Sequence, residues 1–477
     1  PEGAIGALVA CCALALGRTR RLGRPSALAA VPVAGAALLP AMHLVFAGHA
    51  TSSTAIVKWL PLSPYVDAAD LASTFLSNAR LLLANLLDGG DWTQIFVPEG
   101  AAFVFVLGAV ALVVRARRRR LGVLGASTLA VALGVLVPCS YMSFLWNRVR
   151  YVWPFVPALF VGVACLASEA SELVRRFRPR LGFVGPALAG AFAGALATHV
   201  PWAVHDLAQS AAAIDKQQVA LARWASANLA ADARIGVNDT GAIAYLGGRP
   251  TFDVVGLTTE GEARYWTAGP GSRFEHYESM PRSRLPTHFI VYPQWMACPA
   301  VLGRALHEAT VLDQSILGGT TMIAFEARWD ALGTGAAPRR PPEGALLDAL
   351  DVADLESEAL HHYELGKTTD LDDLVATDPG PPAVTDGGRF HRTRDAFTLR
   401  FGAARTATLV LRVAAEEPLR LRVAVDGVEQ GEIEIAAGLF QEASLAVRAQ
   451  GETARVVVAS RGGAEFASFH DWLYATK

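Results

Sequence analysis

Apolar residues dominate the chain up to about residue 204 and then thin to the pattern of a soluble protein. In the first part they come in runs: Gly3 to Leu16, Ala27 to Ala47, Ala101 to Val114, Leu121 to Tyr141, Tyr151 to Ala167 and Leu181 to about Trp202. Roughly 20 apolar residues cross a bilayer as a helix, so the runs predict about six spans, the first, third and fifth at the short end. Basic clusters separate them: Arg18, Arg20, Arg21 and Arg24; Arg115 and Arg117 to Arg120; Arg175, Arg176, Arg178 and Arg180. The clusters occupy alternate loops, which places those loops in the cytoplasm. His49 to Gly100 and Phe144 to Arg150 then face outward, and everything after about His205 is expected outside the cell. In the longer outer loop, Leu71, Phe75, Leu76, Leu82 and Leu86 have near-helical spacing, which predicts a helix on the membrane surface. Its acids, Asp67, Asp70, Asp88 and Asp91, read as caps and solvated groups.

Beyond residue 204 the period changes. Lys216 to Leu229 predicts an amphipathic helix. Short apolar strands follow at Ala233 to Val237, Thr251 to Val255, His288 to Tyr292, Val311 to Asp313 and Thr321 to Phe325, with a helix at Ala242 to Leu246. Strands alternating with helices predict a small α/β domain with a largely parallel sheet over residues 205–330. Residues 331–385 are rich in Gly, Pro and acids and read as a linker with one or two short helices. Residues 386–477 alternate as strands around a strong Asp426-Gly427 hairpin turn, which predicts an antiparallel, jelly-roll-like β-sandwich ending in Phe469 to Tyr474. The expected fold is therefore multi-domain: a polytopic α-helical membrane bundle over residues 1–204, a small α/β domain, a linker and a C-terminal antiparallel β-sandwich.

Composition narrows the function. A net charge of −2 argues against nucleic acid as a partner and leaves the lipid bilayer as the evident one. The cysteines Cys11, Cys12, Cys139, Cys165 and Cys298 include no pair at metal-ligand spacing and read as small buried hydrophobes. The chain begins at Pro1 inside an apolar run, and is read as a fragment of a longer protein.

The chemically unusual stretch is Trp146-Asn147-Arg148-Val149-Arg150-Tyr151-Val152-Trp153-Pro154, between the fourth and fifth runs. Two guanidinium groups there suit an anionic group at the membrane surface, because guanidinium binds phosphate through paired charge-assisted hydrogen bonds. In an extended loop Arg148 and Arg150 share a side and act jointly. The alternative is headgroup snorkelling within an aromatic belt of Trp146, Tyr151 and Trp153. Asn238 and Asp239 end a strand and open a helix, where α/β folds place ligands and also where helix caps sit; capping is the favoured reading. His43 and His49 read as interfacial hydrogen-bonding groups, and His361-His362 as solvated linker residues.

Several spans, an outer loop reading Arg148-Val149-Arg150-Tyr151 followed by Pro154 and Pro157, and then an outer domain resemble the bacterial membrane glycosyltransferases of the GT-C class. Ala222-Arg223-Trp224, Val237 to Leu246 and Asp253 to Leu257 resemble the soluble domain that follows the membrane part in many members. The resemblance implies a plasma-membrane enzyme that moves a sugar from a polyprenyl-phosphate donor to a glycan or protein acceptor on the extracytoplasmic side. It implies a donor-phosphate site at Asn147, Arg148, Arg150 and Tyr151, and allows a divalent metal as cofactor. The family's catalytic acid lies in the first outer loop, which the fragment reading places upstream, so no catalytic residue is assigned. The alternative is a non-enzymatic membrane-anchored scaffold or carbohydrate-binding envelope protein.

Overall fold

The computed structural model describes residues 6–13, 30–48, 50, 52–63, 65–88, 97–142, 148–312, 316–364 and 373–476. The chain forms two compact units, Pro1–Ala212 and Ala213–Lys477.

The first unit is helical: α1 (residues 6–13), α2 (Val31–Ala47), α3 (Ser53–Lys58), α4 (Ala68–Asp88), α5 (Ala101–Arg118), α6 (Gly122–Leu133), α7 (Val156–Phe177) and α8 (Val184–Ala197), leading into α9 (Val200–Ile214). Among the described residues, three helical stretches are long and apolar enough to cross a membrane: Gly122–Ser140, Trp153–Phe177 and Pro179–Asn228. Helices α5 and α7 meet at Gly108 and Gly162, where a Cβ on Gly108 would lie 2.7 Å from the Gly162 carbonyl carbon. Small residues at that crossing let the two backbones approach. At their C-terminal ends Arg115, Arg118 and Arg119 pair with Glu169 and Glu172, so these two predicted basic loops lie at the same end of the helix pair. The helix expected over Asp67 to Leu87 is α4, and Asp67 accepts the Asp70 N–H at 2.8 Å as a local cap. Asp91, His49, Trp146 and Asn147 lie outside the described residues.

In the second unit a π turn at Asp215–Val219 precedes α10 (Ala220–Asn228). A five-stranded sheet follows, from β1 (Ile235–Val237), β2 (Thr251–Asp253), β3 (His288–Val291), β4 (Leu302–Thr310) and β5 (Thr321–Ala327), in the order β2-β1-β3-β5-β4. The first three strands are parallel and the last two antiparallel. The fourth strand lies earlier than Val311, because Leu302–Thr310 is a mostly exposed edge strand with little apolar signal. Helices α11 (Gly241–Gly247), α12 (Glu262–Ala268), α13 (Pro270–Ser279) and α14 (Pro293–Met296) flank the sheet. Leu221, Ala225, Ile235, Val237, Ile243, Ile290, Tyr292 and Met322 form its core.

Residues 331–385 are not simply a linker. They carry β6 (Leu346–Asp351), α15 (Leu355–Leu360), β7 (Asp373–Asp378) and the start of β8 (Val384–Arg392). Then come β9 (Arg394–Arg400), β10 (Thr406–Ala415), β11 (Leu419–Val425), β12 (Val428–Ile435), β13 (Gly438–Arg448), β14 (Thr453–Ser460) and β15 (Phe466–Ala475). One sheet runs β13-β10-β15-β8-β7, with β6 also on β15, and the other runs β12-β11-β14-β9. All these pairings are antiparallel, and the two sheets enclose Phe397, Leu409, Leu411, Leu421, Val423, Val456 and Leu473. The β11–β12 hairpin turns at Asp426 and Gly427, with φ of 49° and 79°, the left-handed pair a two-residue hairpin needs. His361 is buried rather than solvated, its ring facing the Ser357 carbonyl and Asp348.

Candidate functional site

The arginine stretch does not form an extended strand. Residues 148–152 form a turn, with Arg148 and Val149 in left-handed backbone at φ of 58° and 55°. Val149 and Val152 turn inward and pack with Leu82, Cys139 and Tyr141. That burial separates the two arginines. Arg148 forks onto Asp206 of α9, its Nε 3.1 Å from Oδ2 and its second arm on Oδ1. Its guanidinium also lies 6.0 Å from the Trp202 ring centre. Arg150 turns to Tyr151, donating to the phenol oxygen at 3.1 Å.

A third cation joins there. Lys58 Nζ donates to the same Tyr151 oxygen at 3.1 Å. Lys58 is held by the short pairing of Trp59 with Tyr141 and by the Met142 N–H on its carbonyl. The structure thus brings together Arg150, Tyr151 and Lys58, with Arg148 engaged elsewhere. Two donors occupy the phenol oxygen, which leaves its O–H to point at an incoming acceptor. Lys58 is the one lysine before residue 204, a signal the sequence carried and pattern reading passed over.

Asn238 and Asp239 do not cap a helix. The N-cap of α11 is Thr240, and no side chain caps it. Asn238 instead exchanges two hydrogen bonds with the Tyr292 backbone, both at 3.3 Å, and so locks β1 to the end of β3. Asp239 accepts from Gln218 of the π turn at 2.6 Å. Burial, with Asp253 nearby, raises its carboxyl above the usual carboxylate range, against the Gln218 bond.

A buried polar layer separates α13 from the outward face of the sandwich sheet. Arg389 is bidentate on Glu358 at 2.6 and 2.8 Å. Asp373 accepts from Ser272 N and Oγ at 3.0 and 2.8 Å. Arg412, fully buried, donates to Asp386 at 2.6 Å and to Glu442 at 2.7 Å, and stacks against Trp472. Close approach of α13 to β8 depends on Gly387, whose N–H donates to Glu275 at 2.6 Å. Within this layer Asp351, Asp386 and His470 converge, their ligand atoms all within 4.8 Å of one another. Sequence reading missed the group because its members come from β6, β8 and β15, far apart in the chain.

The third feature is a groove of about 590 Å³ at one end of the sandwich. The end of β8, the loops between β10 and β11 and between β14 and β15, and the start of β13 form it. Phe390 and Leu439 line it beside the carboxylates Glu416, Glu417 and Glu465, and His391 pairs with Glu465 at its edge.

Residues 210–341 match a family described as Domain of unknown function (DUF8728). No curated protein matches the chain. Among solved structures, the sandwich is similar to the carbohydrate-binding module CBM6cm-2 of Cellvibrio mixtus lichenase 5A, determined with cellotriose. Identity there is 12%, the TM-score is 0.21, and the match covers 28% of this chain and 100% of the module. It is also similar to the C-terminal CBM6 of LamC from Zobellia galactanivorans, at 15% identity and a TM-score of 0.17 over 21% of this chain and 87% of that one. A ruminal GH26 endo-β-1,4-mannanase matches at 7% identity and a TM-score of 0.17, over 19% of this chain and only 19% of the mannanase. Scores this low assign no ligand to the chain.

Proposed function

We propose that this chain is a membrane-anchored envelope protein whose C-terminal sandwich binds carbohydrate on the extracytoplasmic side. The groove at the end of the sandwich carries this reading. A sugar presents apolar C–H patches and a rim of hydroxyls. Phe390 and Leu439 offer an apolar wall, and the exposed carboxylates Glu416, Glu417 and Glu465 accept hydroxyl hydrogen bonds beside it. A few polar groups placed on an apolar cleft are the usual make-up of a small-molecule site, and bonds to an ionised acceptor are the stronger kind. The apolar helical stretches supply the anchor, and the alternation of basic clusters supports the outward orientation. The test is a glycan array probed with the full chain in lipid nanodiscs, beside Glu416→Gln/Glu417→Gln. Capture of a glycan class that the variant loses supports the reading; no capture on any glycan sinks it.

A second reading is favoured by the Lys58–Tyr151–Arg150 cluster. Two cations and a phenol O–H suit a phosphate, as a polyprenyl-phosphate sugar donor of a GT-C glycosyltransferase would require. Transfer of labelled sugar from such a lipid by the full-length protein, lost in Lys58→Ala/Arg150→Ala, tests it. Undiminished transfer in the variant removes these residues from the donor site.

A further inference from the structure

We infer that Asp351, Asp386 and His470 form a binding site for one divalent metal ion of the zinc type. The site is independent of the carbohydrate groove and lies in the buried layer between α13 and the sandwich.

The distances point to an ion. His470 Nδ1 lies 3.5 Å from Asp351 Oδ1 and 3.9 Å from Asp386 Oδ2. Both separations are too long for a strong hydrogen bond. Both are also too short for a bridging water, which would hold such atoms roughly 4.5 Å apart. Two ligands of one tetrahedral zinc ion sit about 3.3 Å apart, given bonds of about 2.0–2.1 Å. The observed spacing therefore needs only a small inward movement to close on an ion.

The bonding pattern agrees. His470 is 5% exposed, and its Nδ1 has no hydrogen-bond partner among the described residues; nor has Asp351 Oδ1. Buried polar atoms are rarely left so. His470 is held flat against Trp472, ring centres 4.4 Å apart and 12° from parallel, which aims Nδ1 at the two carboxylates. Its Cα faces that of Asp351 across the β6–β15 ladder, so the pair is fixed by strand register. Arg412 donates to Asp386 and orients it, as an outer-shell partner does. Glu275 is 2% exposed and packs beside the group, its Oε1 taken up by the Gly387 N–H at 2.6 Å, so the fourth position is left to a water. Asp351 keeps 24% of its side chain exposed, although its Oδ1 is buried. The imidazole favours zinc or manganese over calcium, which prefers all-oxygen sites.

The full-length protein in detergent, stripped with chelator and dialysed, is titrated with Zn²⁺, and with Mn²⁺ and Ca²⁺ in parallel. Bound metal is counted by elemental analysis and unfolding is followed by circular dichroism. Expected are one more equivalent of Zn²⁺ in the wild type than in Asp351→Asn or His470→Gln, and a rise in unfolding temperature on Zn²⁺ addition that both variants lack. If one variant fails to fold, the other decides. If both fail, the wild type decides through Zn²⁺-dependent protection of α13 in hydrogen exchange. Equal zinc in wild type and variants, no zinc in the folded wild type, or zinc without protection of α13 overturns the site.

Discussion

Arg148 closes its guanidinium on the carboxylate of Asp206, from a turn that folds 58 residues earlier in the chain. Both side chains are largely removed from solvent, 21% and 13% exposed. Breaking a partly buried charge pair from one side leaves the other charge uncompensated. Asp206→Ala and Arg148→Ala are each expected to lower stability by roughly 1–3 kcal/mol, and the double variant by little more than either. Thermal unfolding of the four proteins in detergent measures the coupling. Strictly additive losses would contradict the pairing and return Arg148 to the pool of phosphate ligands.

Gly387 is where α13 sits down on β8. A Cβ there would fall 2.6 Å from Glu275 Oε1 and 3.0 Å from the Gly271 carbonyl. Gly387→Ala is expected to push α13 away and cost about 1–3 kcal/mol, as overpacking does. Amide exchange in residues 270–279 should quicken while β11 and β14 stay protected. Unchanged exchange in α13 would show that the contact tolerates a methyl group.

Asp373 gives a pH signature. Burial pushes its carboxyl up to about 6 from an ordinary 3.8, although Arg389 and the Ser272 bonds pull it down. A folded-state pKa above the unfolded one means that the folded chain holds the proton longer. Its contribution, on the order of 3 kcal/mol at most, is complete below about pH 4 and is lost as pH rises through about 6. The wild type should therefore lose more stability between pH 4 and 6 than Asp373→Asn. Chemical denaturation at several pH values checks this, and parallel curves would contradict it.

The sandwich was legible where strands have one apolar face. Thr406–Ala415, Leu419–Val425 and Phe466–Ala475 alternate or run apolar, and Asp426-Gly427 marks its hairpin. Strands β6, β7 and β8 were not legible. Val384–Arg392 is buried almost throughout, yet it reads Val-Thr-Asp-Gly-Gly-Arg-Phe-His-Arg, because one face meets the charged layer under α13 and Gly387 must admit that helix. The same physics hid the carboxylate–histidine group, whose members are polar residues buried through partners distant in sequence. In the helical unit the arginine stretch stood out by its two cations between apolar runs. Its internal geometry was missed because buried Val149 and Val152 force a turn where alternation had suggested an extended loop.

The central claim is that the sandwich groove binds carbohydrate, and Phe390 is the side chain that tests it most directly. Its ring lines the groove wall and packs from the side against the small cluster of Ala414, Phe440 and Phe469, while the main core between the sheets rests on other residues. Isothermal titration of the full chain in nanodiscs, using the glycan that the array selects, is the measurement. Phe390→Ala should weaken binding at least tenfold, about 1.4 kcal/mol, with the protein still folded and only a modest fall in unfolding temperature from the lost packing. Equal affinity in wild type and variant would contradict a carbohydrate site in this groove.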